Sequence, residues 1–180
     1  MKKAGFTILN DYNQIQDNLS AARIGVITQD ADVQPVMNGR GDFLPATVRQ
    51  AIEFLNGKSK KGFFLMAEGA QIDWGCHNND VKYTVTEVID FDKAVSEALK
   101  FADQDGQTLV IITADHETGG MTIPNGDYDQ NKVRALYTVG GHTGVMVPLY
   151  AYGPHSQDFQ GVQENIDVHK KIVELLEKGK

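Results

Sequence analysis

The sequence is poor in cysteine and has no long apolar run. Cys76 is the single cysteine in 180 residues, so no internal disulfide can hold the fold together. This leaves the compartment open, because proteins without disulfides also occur in oxidising environments. No apolar stretch approaches the roughly 18–20 residues that a membrane span requires, and the sequence therefore predicts no transmembrane helix.

An excess of positive charge is also absent. The chain carries 17 Lys and Arg against 24 Asp and Glu, which gives a formal net charge of −7 and a pI near 5.1. This balance argues against a nucleic-acid-binding surface, which needs clustered basic residues. The lysines in Lys2–Lys3 and Lys58–Lys61 are interpreted as solvated charges of a terminus and a turn. The N-terminal run MKKAGFTILND has no apolar segment after its lysines, which predicts no signal peptide in this chain.

What the sequence does contain is enough apolar residues for a core, in an alternating pattern. Hydrophobic residues make up 41% and charged residues 23% of the chain, which excludes disorder by composition. Strand-like and helix-like segments alternate, which predicts an α/β fold with a mainly parallel sheet flanked by helices. The predicted strands are Phe6–Leu9, Arg23–Thr28, Gly62–Ala67, Leu109–Ala114 and Val145–Tyr152.

Two of the predicted strands carry further expectations, and four helices are predicted along the chain. Gly62–Ala67 is continuously apolar, as expected of a strand covered on both faces, whereas Pro148 favours an edge position for the last strand. The predicted helices are Asp11–Ala21, Pro45–Asn56, Val81–Asp103 and Glu164–Lys178. In the third helix, the spacing predicts one apolar face made of Val85, Val88, Val95, Leu99 and Ala102.

Three loops next to predicted strands contain side chains that bind metals. They are Glu68–His77, Asp115–Gly120 and Gly140–Gly144. Because ligand sites form at the carboxyl ends of parallel strands, the first two loops are expected at one edge of the sheet. The candidate ligands there are Glu68, Asp73, His77, Asp115 and His116.

Several carboxylates in one cleft repel each other, and divalent cations are the usual resolution. Imidazole with carboxylate suits Zn²⁺, and an all-oxygen set suits Mg²⁺. The spacing of four between Asp73 and His77 places both on one side of a helical turn or a compact loop. A capped turn remains the alternative for Asp115–His116, and Cys76 is either a thiolate ligand or a small packing residue.

The remaining histidines and the tryptophan have no such context. His155 follows a Gly-Pro turn and His169 lies on a polar helix face, so both are interpreted as surface residues. Trp74 is interpreted as a packing residue, and His142 alone in its glycine-rich loop is a weak candidate.

The runs GFFLMAEGAQIDWGCHNND, IITADHETGG and GGHTGVMVPLYAYGP closely resemble the C-terminal half of alkaline phosphatases, in the same order. The resemblance extends from about Pro45 to Glu177. It implies that residues 1–180 are the C-terminal part of an alkaline-phosphatase-like α/β domain that is incomplete in this chain.

The resemblance also implies a role for each candidate ligand. Glu68 corresponds to a ligand of a Mg²⁺ site. One Zn²⁺ is implied to bind Asp73, His77 and His142, and a second to bind Asp115 and His116. In the family, two zinc ions and one magnesium ion support in-line phosphoryl transfer from phosphate monoesters.

The motif of the family's serine nucleophile is absent, as are its phosphate-binding arginine and further ligands of the second zinc and the magnesium. The serines present lie in ordinary helix or loop contexts: Ser20, Ser59, Ser96 and Ser156. The chain alone is therefore expected to be catalytically inactive, with an incomplete second zinc site and an incomplete magnesium site.

Other expectations and alternatives follow from the same resemblance. The full-length protein is expected to be periplasmic or secreted and to act on a phosphate monoester. A homodimer is its candidate assembly. The alternatives are a non-catalytic metal-binding fragment, or a phosphodiesterase, sulfatase or phosphomutase of the same superfamily. The pairing of ADHETGG with GGHTG favours the phosphatase.

Overall fold

A computed structural model describes residues 1–28 and 33–178. It confirms the α/β class, with four α-helices and eight short strands among the described residues. The helices are α1 (Phe43–Asn56), α2 (Gln71–His77), α3 (Val81–Asp105) and α4 (Asn165–Lys178). The strands are β1 (Thr7–Leu9), β2 (Ile24–Val26), β3 (Val110–Ile112), β4 (Glu117–Thr118), β5 (Thr122–Asp127), β6 (Lys132–Leu136), β7 (His142–Thr143) and β8 (Tyr150–Tyr152).

The strands pair two by two. β1 and β2 are parallel, with Thr7 opposite Ile24. β3–β8, β4–β7 and β5–β6 are antiparallel pairs. Within the described residues the predicted mainly parallel sheet is therefore present only as β1–β2, and no single continuous sheet forms.

The predicted strand Gly62–Ala67 is the main difference from expectation. It has no regular secondary structure, because no described strand hydrogen-bonds to it. Phe63 and Leu65 pack against the helical core, whereas Phe64 and Met66 are 58% and 77% exposed. The prediction that this run is covered on both faces is thus wrong for the described chain.

The core lies between α1 and α3. Its centre is formed by Val48 and Ile52 of α1 and Ala94 of α3. Leu44, Phe63, Leu65, Ala98 and Phe101 pack around it. Asp80 caps α3 by accepting a hydrogen bond from the backbone N–H of Tyr83 at 3.0 Å. Gly106 ends the helix in the left-handed conformation, which glycine adopts most readily.

The buried face of α3 differs from the predicted one near its N-terminus. Val85 and Val88 are 42% and 46% exposed, and Glu87 and Asp90 are buried instead. Arg40 explains this burial, because its Nη2 lies 2.5 Å from Glu87 Oε2 and 2.8 Å from Asp90 Oδ2. A pattern of apolar spacing cannot find this face, since charged residues are buried only where a partner is supplied.

Other elements were predicted with mixed success. The helix predicted over Asp11–Ala21 is a 3₁₀ helix, Tyr12–Asn18, and the last helix matches its prediction within one residue. The β5–β6 hairpin lies in a stretch that was predicted to be loop. None of the helices in residues 1–28 and 33–178 has the length and apolar character to cross a membrane.

Candidate metal centre

α2 carries two of the predicted ligands one turn apart. Asp73 and His77 lie on the same side of this helix, with Asp73 Oδ2 3.3 Å from His77 Nε2. α2 lies close to α3 because residue 75 is glycine: a Cβ there would be 2.9 Å from the backbone nitrogen of Thr84. The sequence predicted the helical spacing of the two ligands but not a helix of these bounds.

Strand pairing adds the third ligand. β4 follows the Asp115–His116 pair directly, and it pairs with β7 so that Thr118 lies opposite His142. His142 Nε2 is 3.2 Å from His77 Nε2 and 3.6 Å from Asp73 Oδ1. Ligand atoms of the three residues all lie within 4.8 Å of one another.

These distances fit one small cation. Zn–N and Zn–O bonds of about 2.0–2.2 Å in a tetrahedral site put neighbouring ligand atoms roughly 3.4 Å apart. The separations of His77 Nε2 from His142 Nε2 and from Asp73 Oδ2, 3.2 and 3.3 Å, are close to that spacing, and His142 Nε2 lies 3.6 Å from the other carboxylate oxygen, Asp73 Oδ1. Within the described part of the chain, this is the one group of three such residues close enough to hold a metal ion.

The hydrogen bond of His77 indicates which of its nitrogens is available. Its Nδ1 lies 2.7 Å from the carbonyl oxygen of Gly140, and a carbonyl can only accept. Nδ1 therefore carries a proton, which leaves Nε2 as the ring nitrogen that can bind a metal. Nε2 faces the carboxylate of Asp73 at 3.3 Å, so a cation between them would be bound by both residues.

The second predicted pair lies beside the first group. His116 Nε2 is 3.2 Å from Asp115 Oδ2, and the His116 ring stacks on His142 with centroids 3.6 Å apart. The Asp115 side chain is 82% exposed. The structure thus brings five of the six predicted ligands into one region. Two of them, Asp115 and His116, would need further ligands to complete a metal site.

Glu68 stands outside the three-residue group. It is exposed and lines a cavity of about 290 Å³ together with Arg40, Phe43 and Trp74. Its assignment to a magnesium site stays a prediction. Trp74 is 55% exposed, so its interpretation as a packing residue is wrong.

Cys76 behaves as a packing residue. It is buried, and its Sγ lies 3.7 Å from Thr84 Oγ1 on α3. Burial raises the pKa of the Cys76 thiol, the hydrogen bond with Thr84 lowers it, and the nearby charges of Asp73 and Glu117 raise it further. A neutral buried thiol outside the ligand group does not fit the thiolate alternative.

Two residues that the sequence did not single out organise the site. Thr118 Oγ1 donates to Asp73 Oδ1 at 2.5 Å and lies 3.2 Å from His116 Nδ1. Glu117 accepts hydrogen bonds from the backbone N–H groups of Gly120 and Met121 at 3.1 and 3.2 Å. It also accepts one from the hydroxyl of Thr143, next to His142. In the sequence, the only sign of a role for Glu117 and Thr118 is their position directly after Asp115–His116.

Gly119 lets this turn fold tightly. Its φ of +89° is unfavourable for other residues, and a Cβ would lie 2.7 Å from the ring of Tyr137. The Tyr137 hydroxyl in turn lies 2.8 Å from Thr84 Oγ1 on α3. The turn after β4 is therefore joined to the same helix that supports α2.

The His155 and His169 predictions agree with the structure. Both residues are exposed, and His155 Nδ1 pairs with Asp158 at 3.2 Å on the surface. Neither belongs to the metal-binding group.

Comparison with known proteins gives one consistent result. The family model described as alkaline phosphatase matches residues 10–136. Alkaline phosphatase 4 of Bacillus subtilis (strain 168) is 30% identical over 247 residues, which covers 99% of this chain and 53% of that protein. Because this alignment is longer than the 180-residue chain, the relative contains residues within the matched span that have no counterpart here.

Solved structures agree with the sequence relatives. The alkaline phosphatase from the Antarctic bacterium TAB5 matches with a TM-score of 0.87 and 37% identity, over 99% of this chain and 54% of that one. A mutant of the TAB5 enzyme with Mg bound in the M3 site matches with a TM-score of 0.85 and 38% identity, over 98% of this chain and 54% of that one. The chain spans about half the length of the relatives it matches.

Proposed function

Since this chain belongs to the alkaline phosphatase family, we propose that it supplies the metal ligands of a phosphate monoester hydrolase. Asp73, His77 and His142 hold the first Zn²⁺. Asp115 and His116 contribute to the second Zn²⁺, and Glu68 to a Mg²⁺. The family match favours this assignment over a phosphodiesterase, sulfatase or phosphomutase.

The observation that carries the proposal is the convergence of three candidate donor groups at Asp73. His77 Nδ1 donates to Gly140, which leaves Nε2 as the ring nitrogen that can bind a metal, and Nε2 lies 3.3 Å from a carboxylate oxygen of Asp73. His142 Nε2 approaches the same place at 3.2 Å from His77 Nε2. Two imidazoles with one carboxylate are a zinc-type donor set. The Mg-bound TAB5 mutant supports divalent metal binding in this family more generally.

The bound ions would stabilise the negative charge of the transferring phosphoryl group and of the attacking and leaving oxygens. The residues of this chain position those ions: Gly140 orients His77, and Thr118 orients Asp73.

Zinc binding and turnover together test this proposal. We expect the purified chain to bind Zn²⁺ in a calorimetric titration and to hydrolyse p-nitrophenyl phosphate no faster than free metal. His142→Ala should lower zinc affinity at least tenfold, because it removes one of three ligands of the first site. His155→Ala is the matched control and should bind zinc like the parent, since His155 lies outside the group.

Each outcome decides a separate part of the proposal. Absence of zinc binding would contradict the metal assignment. Robust turnover that His142→Ala abolishes would contradict catalytic incompleteness. If adding the part of the family's domain that has no counterpart here gives metal binding but still no turnover, the non-catalytic fragment becomes the better description.

The location and assembly of the full-length protein are parts of the same proposal. A periplasmic or secreted location and a homodimer both rest on the family resemblance. Cell fractionation and sedimentation measurements on the full-length protein test these two points.

A further inference from the structure

We propose that Thr118 is a positioning residue that connects the two zinc sites through its single hydroxyl group. This inference rests on the proposed function, because it assigns Asp73 and His116 to those two sites. Thr118 is 7% exposed and lies between the two ligands. Its Oγ1 contacts Asp73 Oδ1 at 2.5 Å and His116 Nδ1 at 3.2 Å.

The direction of these two hydrogen bonds is determined by the number of protons. A threonine hydroxyl has one proton and two acceptor lone pairs. The ionised carboxylate of Asp73 can only accept, so the proton of Thr118 points to Asp73. The same oxygen then faces His116 Nδ1 with a lone pair, and His116 must donate its Nδ1–H to Thr118.

Each ligand is thereby left with its metal-binding atom free. On Asp73, Thr118 engages Oδ1, and Oδ2 remains directed to His77 at 3.3 Å. On His116, protonation of Nδ1 leaves the lone pair on Nε2, which faces Asp115 Oδ2 at 3.2 Å. The Nδ1–H form is the less common tautomer of free histidine, so it needs an acceptor such as Thr118 to be favoured.

The hydroxyl is held in place by its surroundings. Thr118 is in β4, paired with His142 in β7. The preceding Glu117 is fixed by the N–H groups of Gly120 and Met121 and by Thr143. The backbone at Thr118 is therefore anchored on both sides, which leaves its Oγ1 between Asp73 and His116.

The experiment compares the parent chain with Thr118→Val and Thr118→Ser. Valine keeps the shape and removes the hydroxyl, whereas serine keeps the hydroxyl. Thr47→Val is the matched control, because the Thr47 hydroxyl donates to the Phe43 carbonyl within α1, away from the site. The first readout is the tautomer of His116 by ¹⁵N NMR in the metal-free chain at a fixed pH of about 8.5, where a histidine of ordinary pKa is neutral. The second is zinc affinity and stoichiometry.

We expect His116 to be protonated at Nδ1 in the parent, Thr118→Ser and Thr47→Val chains, and at Nε2 in Thr118→Val. Zinc affinity should fall about 10–100-fold in Thr118→Val, the usual effect of removing an outer hydrogen-bond partner, and should recover in Thr118→Ser. Circular dichroism monitors folding of each variant. If Thr118→Val does not fold, the tautomer in the parent and serine chains decides the question.

The two proposals fail in different ways. If Thr118→Val binds zinc as tightly as the parent, or if His116 of the parent is protonated at Nε2, the role proposed for Thr118 is wrong. Either result leaves the proposed function intact. A parent chain that binds no zinc would overturn the proposed function, and the His116 tautomer would still decide whether Thr118 positions the ring.

Discussion

His77 and His116 each have Nδ1 in contact with an oxygen, but the two oxygens differ in kind. The partner of His77 is a backbone carbonyl, at Gly140, which no side-chain substitution removes. The partner of His116 is the hydroxyl of Thr118, which a substitution can remove. The tautomer of His77 is therefore expected to be less sensitive to side-chain substitution than the tautomer of His116.

Arg40 is a residue whose loss should strongly destabilise the fold. Its side chain is 7% exposed, and it pairs with Glu87 and Asp90, which are 2% and 3% exposed. Arg40→Met leaves two buried carboxylates without their cation, so we expect a loss of about 3–5 kcal/mol in the free energy of unfolding. Urea denaturation followed by circular dichroism measures it.

Arg49→Met provides the control for this prediction. Arg49 is 55% exposed, and its Nη1 lies 3.6 Å from Glu97 Oε2. Such a surface pair contributes about 0–1 kcal/mol, so the variant should unfold close to the parent. Equal losses in the free energy of unfolding would contradict the prediction, because the buried Arg40 cluster would then stabilise the fold no more than the exposed Arg49–Glu97 pair.

At the scale of elements, the position of α2 is expected to control the geometry of the proposed first zinc site. This helix carries Asp73 and His77, and Gly75 between them touches α3. Gly75→Ala would place a methyl group 2.9 Å from both the backbone nitrogen and the hydroxyl of Thr84. We expect a net loss of about 1–3 kcal/mol from overpacking, together with weaker zinc binding.

Gly57→Ala distinguishes this contact from a general effect of alanine. A Cβ at Gly57 would meet carbonyl oxygens at 3.5 and 3.6 Å, which is ordinary contact, and the residue is in the right-handed helical region. This variant should keep the stability and zinc affinity of the parent. Unchanged zinc affinity in Gly75→Ala would contradict the proposed dependence of the site on α2.

The elements also show how far the sequence could predict the structure. Helices with caps or a strong apolar pattern were predicted well: α3 begins at Val81 as expected and extends two residues past its predicted end at Asp103. The spacing of Asp73 and His77 is a local property, and the structure places the two side chains together as expected, whereas His142 joined them only through the family resemblance. Their role as metal ligands stays a prediction. The exposure of Phe64 and the burial of Glu87 could not be predicted, since each depends on whether a distant segment supplies a partner.

At the scale of the whole molecule, the chain has an apolar surface that its own described residues do not cover. Phe64 and Met66 are 58% and 77% exposed, and Val145 and Met146 are 63% and 76% exposed. Exposed apolar patches are typical of surfaces that bind another protein segment. This agrees with a chain that covers 54% of a structurally similar alkaline phosphatase.

Self-association of the purified chain is the expected consequence. Sedimentation velocity over a range of concentrations should show association, and Phe64→Ser should weaken it with little change in stability. Phe63→Ser is the matched comparison, because Phe63 packs on the α1–α3 core and its loss should destabilise the fold. A parent chain that stays monomeric at all concentrations would contradict this expectation.

The central claim, that Asp73, His77 and His142 together hold a metal ion, is tested most directly by the coordination of bound zinc. X-ray absorption at the zinc edge, on the chain loaded with one equivalent, should show about two imidazole nitrogens at about 2.0–2.1 Å with oxygen completing a four-coordinate shell. His142→Ala should remove one imidazole from that shell, and His155→Ala should leave it unchanged. A shell without imidazole, or one that His142→Ala does not alter, would contradict the assignment.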